Sequence, residues 1–304
     1  MNKPAYTPSV LKLLQHPDNI RAIANGCAWP VTINIAVTGR CQLACSFCCF
    51  KNRPVDMDLS WNDFMHALLI GRPRWTRGIE ITGGEPGLWP ELARAIRAAS
   101  RLYKVGLVTN GAAISVLSQE DINLCHWVRV SLNGFEQNYD IPDVAIQGRL
   151  TGSLVWHDKF MPELLRPAIS WCKRNHTHLR VLVDAFAQDR EALIAVAQDT
   201  INSCGEQVFL DPQKYKQLNG PCLYTYWKPL VGWDGWVYAC CSNLTPERGF
   251  TLPEEFRLCR VAEFTNWLRK GSHDLGYRCR RCGYVDQNEF LSMIAQTVED
   301  PEFV

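Results

Sequence analysis

Apolar and polar positions along this chain follow two periods in turn. Short runs rich in β-branched and apolar residues fall at 31–37 (VTINIAV), 78–82 (GIEIT), 104–109 (KVGLVT), 127–132 (WVRVSL), 179–186 (LRVLVDAF) and 207–211 (QVFLD). Continuous apolar character of this kind marks strands buried on both faces, as in a parallel sheet. Helical periodicity fills the gaps. In 60–71, Trp61, Phe64, Met65, Leu68 and Leu69 form one stripe, with Ser60 as the predicted N-cap and Asp63 three residues on. Segments 90–100, 162–175 and 189–203 continue the series, and Pro167 is expected to kink or shorten the second of them. Strand–helix alternation predicts an α/β fold with a parallel sheet and outer helices. Six strands are too few for a closed eight-unit barrel, so the expectation is a partial (β/α)6 barrel.

Residues 1–29 read as a lead-in, 30–214 as the barrel and 215–304 as a smaller module. In the last part Trp, Tyr, Gly, Pro and Cys dominate, and helical patterns return only at 261–271 and 286–300. With 304 residues, 47% of them hydrophobic and 21% charged, the chain has material for a substantial core. Its net charge of +1 supplies no global attraction to nucleic acid or to an anionic membrane. No apolar run approaches the roughly 18 residues of a membrane helix, and the first residues carry no signal-peptide pattern. A cytoplasmic location without a membrane partner is the expectation.

Cysteine changes the picture. There are 14, and in a long chain without an export pattern clustered cysteines point to metal rather than to disulfides. Cys27, Cys125, Cys172 and Cys204 stand alone and read as small buried hydrophobes. Cys41, Cys45 and Cys48 form C-x3-C-x2-C directly after the first predicted strand. Three thiolates on one loop can hold three irons of a [4Fe–4S] cluster and leave the fourth iron open. A structural zinc site would want a fourth protein ligand close by. One strand–helix unit later, the second strand ends in Ile81-Thr82-Gly83-Gly84-Glu85-Pro86. The glycines permit close backbone approach, and Glu85 offers an acceptor for an ammonium group.

Together the two motifs resemble the radical S-adenosylmethionine (SAM) enzymes. The resemblance implies that SAM binds the open iron and is cleaved to a 5′-deoxyadenosyl radical that abstracts hydrogen from a substrate. It implies a reductase partner such as flavodoxin or ferredoxin. It places Phe47, just before the third cysteine, near the adenine. It assigns the SAM amino group to Gly83, Gly84, Glu85 and Pro86. Ser131 and Asn133 at the end of the fourth predicted strand, with Asn110 behind them, become candidate contacts to the SAM ribose or carboxylate.

A second group, Cys222, Cys240, Cys279 and Cys282, spans C-x17-C-x38-C-x2-C. Gly232–Cys241 reads as a hairpin that carries Cys240 to a metal, with Cys241 as the alternative ligand. This group resembles the Twitch form of the SPASM/Twitch extensions of radical SAM enzymes, which implies a second, auxiliary [4Fe–4S] cluster. The plainer reading is a zinc ribbon. The arginines of 278–282 suit an anionic cluster or an acidic substrate.

The function expected is oxidation, epimerisation or isomerisation of a small polar metabolite of sugar or aminocyclitol type. Cys259 is the candidate hydrogen donor, ahead of Cys241 and Cys49. Asp184 and Asp211 at strand ends are candidate binders of hydroxyl or amino groups, or bases. Trp156, Tyr224, Tyr226, Trp227, Trp233 and Trp236 could stack on a sugar or a base. An alternative is modification of a nucleobase or nucleotide, with Arg72, Arg74, Arg77, Lys214 and Lys216 as a local basic patch. A zinc-binding interaction module is the non-enzymatic alternative. His176 and His178 read as surface histidines.

Overall fold

The computed structural model describes residues 10–24, 29–51, 54, 56–70, 75–212, 215–240, 254–270, 279 and 282–295. In chain order the elements are α1 (Val10–Leu13), α2 (Pro17–Ala24), β1 (Thr32–Ala36), α3 (Trp61–Ile70), β2 (Gly78–Thr82), α4 (Leu92–Ser100) and β3 (Lys104–Thr109). There follow α5 (Ala112–Val116), α6 (Gln119–Asn123), β4 (Cys125–Ser131), β5 (Arg149–Trp156), α7 (Leu165–Arg174), β6 (Leu179–Val183), α8 (Arg190–Asn202) and β7 (Val208–Asp211). The last part adds β8 (Leu230–Val231), β9 (Trp236–Tyr238), β10 (Arg257–Arg260), α9 (Phe264–Arg269) and α10 (Val285–Ala295).

Strands β1 to β7 are parallel and lie side by side in chain order. This is an open parallel barrel of the expected kind, with one strand more than the pattern suggested. The added strand is β5. Arg149, Thr151 and Ser153 break its apolar run, and Gly152 has no side chain, so no strand period marks it. Gly152 is needed there because a Cβ would lie 2.6 Å from Cys172 Sγ on α7.

Local chemistry explains the helix starts. The Ser60 hydroxyl accepts from the Asp63 N–H at 3.1 Å and donates to the Asp63 carboxylate at 2.8 Å, which closes the first turn of α3. Asp189 caps α8 through the Ala192 N–H at 3.0 Å. Pro167 does not kink α7. It sits in the first turn, where a missing N–H costs no helical hydrogen bond.

The C-terminal part does not stand apart from the barrel. Strand β8 pairs in parallel with β1, and β9 and β10 extend the same sheet antiparallel. The Gly232–Gly235 turn joins β8 to β9, with Gly235 at φ +75°. A small apolar cluster of Ala36, Phe50, Leu230, Trp233, Tyr238, Ala239 and Phe256 ties this sheet edge to the cysteine loop, with Cys48 and Cys279 both packed against it. No helix among the described residues is long and apolar enough to cross a membrane.

Candidate functional site

The loop after β1 is held by charge and by close backbone packing. Asp58 accepts from the Thr38 hydroxyl at 2.6 Å and from Arg40 Nε at 3.0 Å, which fixes the path leading to Cys41. The end of β2 presses against the same path. Gly84 N–H donates to the Thr38 carbonyl and Glu85 N–H to the Arg40 carbonyl, each at 2.7 Å. A Cβ on Gly84 would stand 2.1 Å from the Arg40 carbonyl oxygen, and one on Gly83, whose φ is +140°, 2.6 Å from that of Thr38. The two glycines are therefore required by the contact between the two loops.

Glu85 completes this brace. Its carboxylate is fully buried and accepts four hydrogen bonds: Thr109 hydroxyl at 2.6 Å, Asn110 N–H at 2.7 Å, Gly87 N–H at 3.0 Å and Ala113 N–H at 3.1 Å. In this conformation the side chain holds β3 and α5 against the loop, and its acceptor sites are already filled. Pro86 is buried and opens the short 3-10 turn that follows.

Each of the three loop thiols receives an N–H. Asn110 Nδ2 reaches Cys41 Sγ at 3.6 Å, Gln137 Nε2 reaches Cys45 Sγ at 3.5 Å, and Phe50 N–H reaches Cys48 Sγ at 3.4 Å. Burial, followed by the neighbouring Cys48 and Cys41, pushes the Cys45 thiol up to about 11. Three crowded thiols, each supplied with a donor, suit an iron–sulfur cluster, whose cysteine thiolates accept such bonds. Among the described residues no three Cys, His, Asp or Glu side chains close around a single metal ion.

Beside Cys45 opens a cavity of about 270 Å³, lined by Ser46, Phe47, Asn133, Glu136 and Gln137 among others. Phe47 packs against His157, with ring centroids 5.2 Å apart. His157 Nδ1 accepts from the Lys159 N–H at 3.3 Å, so Nε2 carries the proton that faces Glu136 Oε2 at 2.7 Å. Asn133 is locked by a two-way exchange with the Val155 backbone at 2.7 and 3.0 Å, and it also donates to Glu136. Asn110 turns toward Cys41 and Gln42. Ser131 ends β4, paired with Ser153. Glu136, Gln137 and His157 were missed from the sequence. The first two follow Asn133 closely, and His157 comes directly after a strand that carries no period.

The four later cysteines meet. Cys222, Cys240, Cys279 and Cys282 line one narrow pocket together with Tyr224, Tyr284 and Asn288. Tyr284 N–H and Asn288 Nδ2 point at Cys282 Sγ from 3.3 and 3.8 Å, and Cys222 Sγ lies 3.3 Å from the Thr225 hydroxyl. Burial, with Cys222 and Cys282 alongside, pushes the Cys279 thiol up to about 12. Four thiols around one pocket fit a second cluster. Cys27, Cys241, Arg72, Arg74, Lys214 and the arginines of 278–282 lie outside the described residues.

Other candidates fall elsewhere. Cys259 is buried on β10, opposite Val237, and lines neither the Cys45 cavity nor the four-cysteine pocket. Asp184, at the end of β6, accepts from the Phe186 N–H at 2.9 Å, and burial raises its pKa with His157 close enough to oppose the shift. Asp211 does not present a free carboxylate to a substrate. It holds the buried Arg180 at 2.6 and 2.9 Å. Asp211→Asn is expected to cost about 3–5 kcal/mol by stranding that guanidinium, measured by denaturant unfolding. Trp156 packs on Phe160, Tyr226 on Trp267, Trp233 on Phe50, and Trp236 under Arg257 and Arg260. His176 and His178 are exposed, as expected.

The open parallel barrel, with three donor-supplied thiols on the loop after its first strand, is the part of the chain that a known family matches. Residues 35–144 match the Radical SAM superfamily. Among curated relatives, the chain is 35% identical over 85 residues to the probable GTP 3',8-cyclase of Methanopyrus kandleri, covering 28% of each chain. It is 32% identical over 117 residues to the GTP 3',8-cyclase of Chlorobaculum tepidum, covering 36% of this chain and 33% of that one. The chain thus matches a third or less of the length of these relatives. Among solved structures, SuiB of Streptococcus suis bound to its precursor peptide SuiA superposes with a TM-score of 0.52 at 14% identity, over 87% of this chain and 72% of that one. At that identity the likeness is one of fold.

Proposed function

We propose that Cys41, Cys45 and Cys48 hold a [4Fe–4S] cluster that binds SAM, and that the enzyme abstracts a hydrogen atom from a small polar metabolite. The outcome is oxidation, epimerisation or isomerisation of that substrate. When bound, the cluster and SAM supply the radical, and a second cluster at Cys222, Cys240, Cys279 and Cys282 supplies an electron-transfer centre. The observation that carries the reading is the row of N–H donors from Asn110, Gln137 and Phe50, one for each loop thiol.

The chain's own residues set the stage. Phe47 offers a flat apolar face to the adenine; His157 packs against that ring, and Phe160 packs against His157. Gly83 and Gly84 let backbone rather than side chains meet the loop, and Glu85 keeps β3 and α5 from shifting behind it. Asn133 and Glu136 supply polar groups to the cavity. A nucleotide substrate is the second reading, favoured by the GTP 3',8-cyclase names of the two relatives described above.

Iron and acid-labile sulfide after anaerobic reconstitution test the two-cluster reading. About eight of each per chain are expected, and about four in Cys282→Ala. Four in the wild-type chain would remove the second cluster.

A further inference from the structure

The barrel interior is strongly charged at the end away from the cysteine loop. A cavity of about 480 Å³ opens there, against the starts of β1 to β4 and the inner face of β6. Among the described residues six cations line it: Lys12, Arg77, Lys104, Arg129, Arg180 and Lys228. Among these described residues Glu80 is the carboxylate in the lining, held by Lys228 at 3.0 Å, and Asp211 stands behind Arg180, which leaves an excess of four positive charges among them.

Solvent does not disperse this charge as it would on an open surface. Partial burial, then Lys228, Arg129 and Arg180, push Lys12 down to about 8. Burial and Arg180 also lower Arg129. Burial opposes ionisation of Glu80, yet Lys228 and Arg129 overcome it and hold that carboxyl below its usual range. Two polar groups wait without partners. Arg129 Nε is buried and makes no hydrogen bond, and neither amide atom of the fully buried Asn34 makes one. Asn34 is in register with Glu80 and shares a strand face with Thr32, and both of these residues line the cavity.

Position links the cavity to the reacting end. Trp127, Arg129 and Ser131 share one face of β4, which runs ~13 Å from the cavity to the strand end near Asn133. Tyr224 and Tyr284, stacked at 4.0 Å, line both this cavity and the four-cysteine pocket. A molecule anchored at Arg129 would extend along β4 toward the SAM side.

We propose that this cavity binds the phosphate groups of the substrate, so that the enzyme acts on a phosphorylated small molecule; the substrate assignment rests on the reading of the chain as a radical enzyme. Four excess charges and two arginine forks match phosphate groups better than a single carboxylate.

The test titrates the reconstituted full chain with inorganic pyrophosphate by calorimetry, with citrate as the carboxylate probe. Saturable binding is expected, weakened by added salt and weakened about tenfold or more in Arg129→Gln. Lys104→Gln, at the exposed rim, keeps the test open should Arg129→Gln misfold, and a several-fold loss is expected there. Absence of saturable pyrophosphate binding, unchanged affinity in both variants, or tighter binding of citrate would each overturn the proposal. SAM cleavage by the wild-type chain under dithionite separates the two readings. Cleavage without pyrophosphate binding removes the phosphate site and leaves the radical chemistry. Pyrophosphate binding without cleavage leaves an anion site and removes the substrate assignment.

Discussion

Cys45→Ala is expected to abolish 5′-deoxyadenosine formation from SAM. Cys45 is the middle thiol of the loop and borders the cavity that holds Phe47 and Asn133. Its loss leaves two thiols, too few to hold a cluster with one open iron. The fold should survive, because Cys45 is only half-buried and the loop path is fixed by Asp58 and by the Gly83–Glu85 segment. Iron should fall to about half while the four-cysteine pocket keeps its share. Continued 5′-deoxyadenosine formation at the wild-type rate would defeat the assignment of this loop.

Glu85→Ala is expected to have the largest effect on stability. Three backbone N–H groups and the Thr109 hydroxyl would lose a buried acceptor at once. Each such group costs about 1–3 kcal/mol, and partial relaxation brings the sum to about 4 kcal/mol. For a chain of this size that is a fall of roughly 10 °C in Tm. Glu85→Gln keeps the oxygen that serves three of the donors but turns an NH2 toward Asn110 N–H, so it should cost less than half as much. Burial raises the Glu85 carboxyl above the ordinary range against its four donors. The protonated form therefore favours the fold at low pH, and that gain is lost as pH rises through the raised value. Glu85→Gln should remove this part of the pH dependence. A Glu85→Ala protein with unchanged Tm would show that the carboxylate braces nothing.

Both predictions concern motifs that can be read directly from the chain, but they were legible to different degrees. The C-x3-C-x2-C spacing is local, so the chain itself brings three thiols to one loop. The auxiliary group was legible from its C-x2-C pair and hairpin, and the fold brings its four thiols to one pocket. Gly83-Gly84-Glu85-Pro86 was visible as a motif, but the partners that Glu85 takes within the fold were not. Glu85 reads as an acceptor for a ligand, whereas the fold fills that acceptor from Thr109, Asn110 and Ala113. Asp211 misled in the same way, because the residue that occupies it, Arg180, is 31 positions distant. Cys259 looked available because nothing in its neighbourhood of the sequence shows that β10 lies at the far edge of the sheet.

What the amino-acid sequence determined by itself is whatever depends on neighbours along the chain: strand and helix periods, the Ser60 cap, the cysteine spacings and the hairpin. What only the tertiary structure decided depends on convergence from distant positions. Strand β5 hid because its pairing with β4 and β6, rather than its own apolar run, makes it a strand. The cationic cavity was invisible because Lys12, Arg77, Lys104, Arg129, Arg180 and Lys228 each look like an ordinary charged residue in context. Parallel pairing sets the ends of successive strands side by side, so residues tens of positions apart come to share one enclosed space. Only there does their mutual repulsion create a demand for an anion.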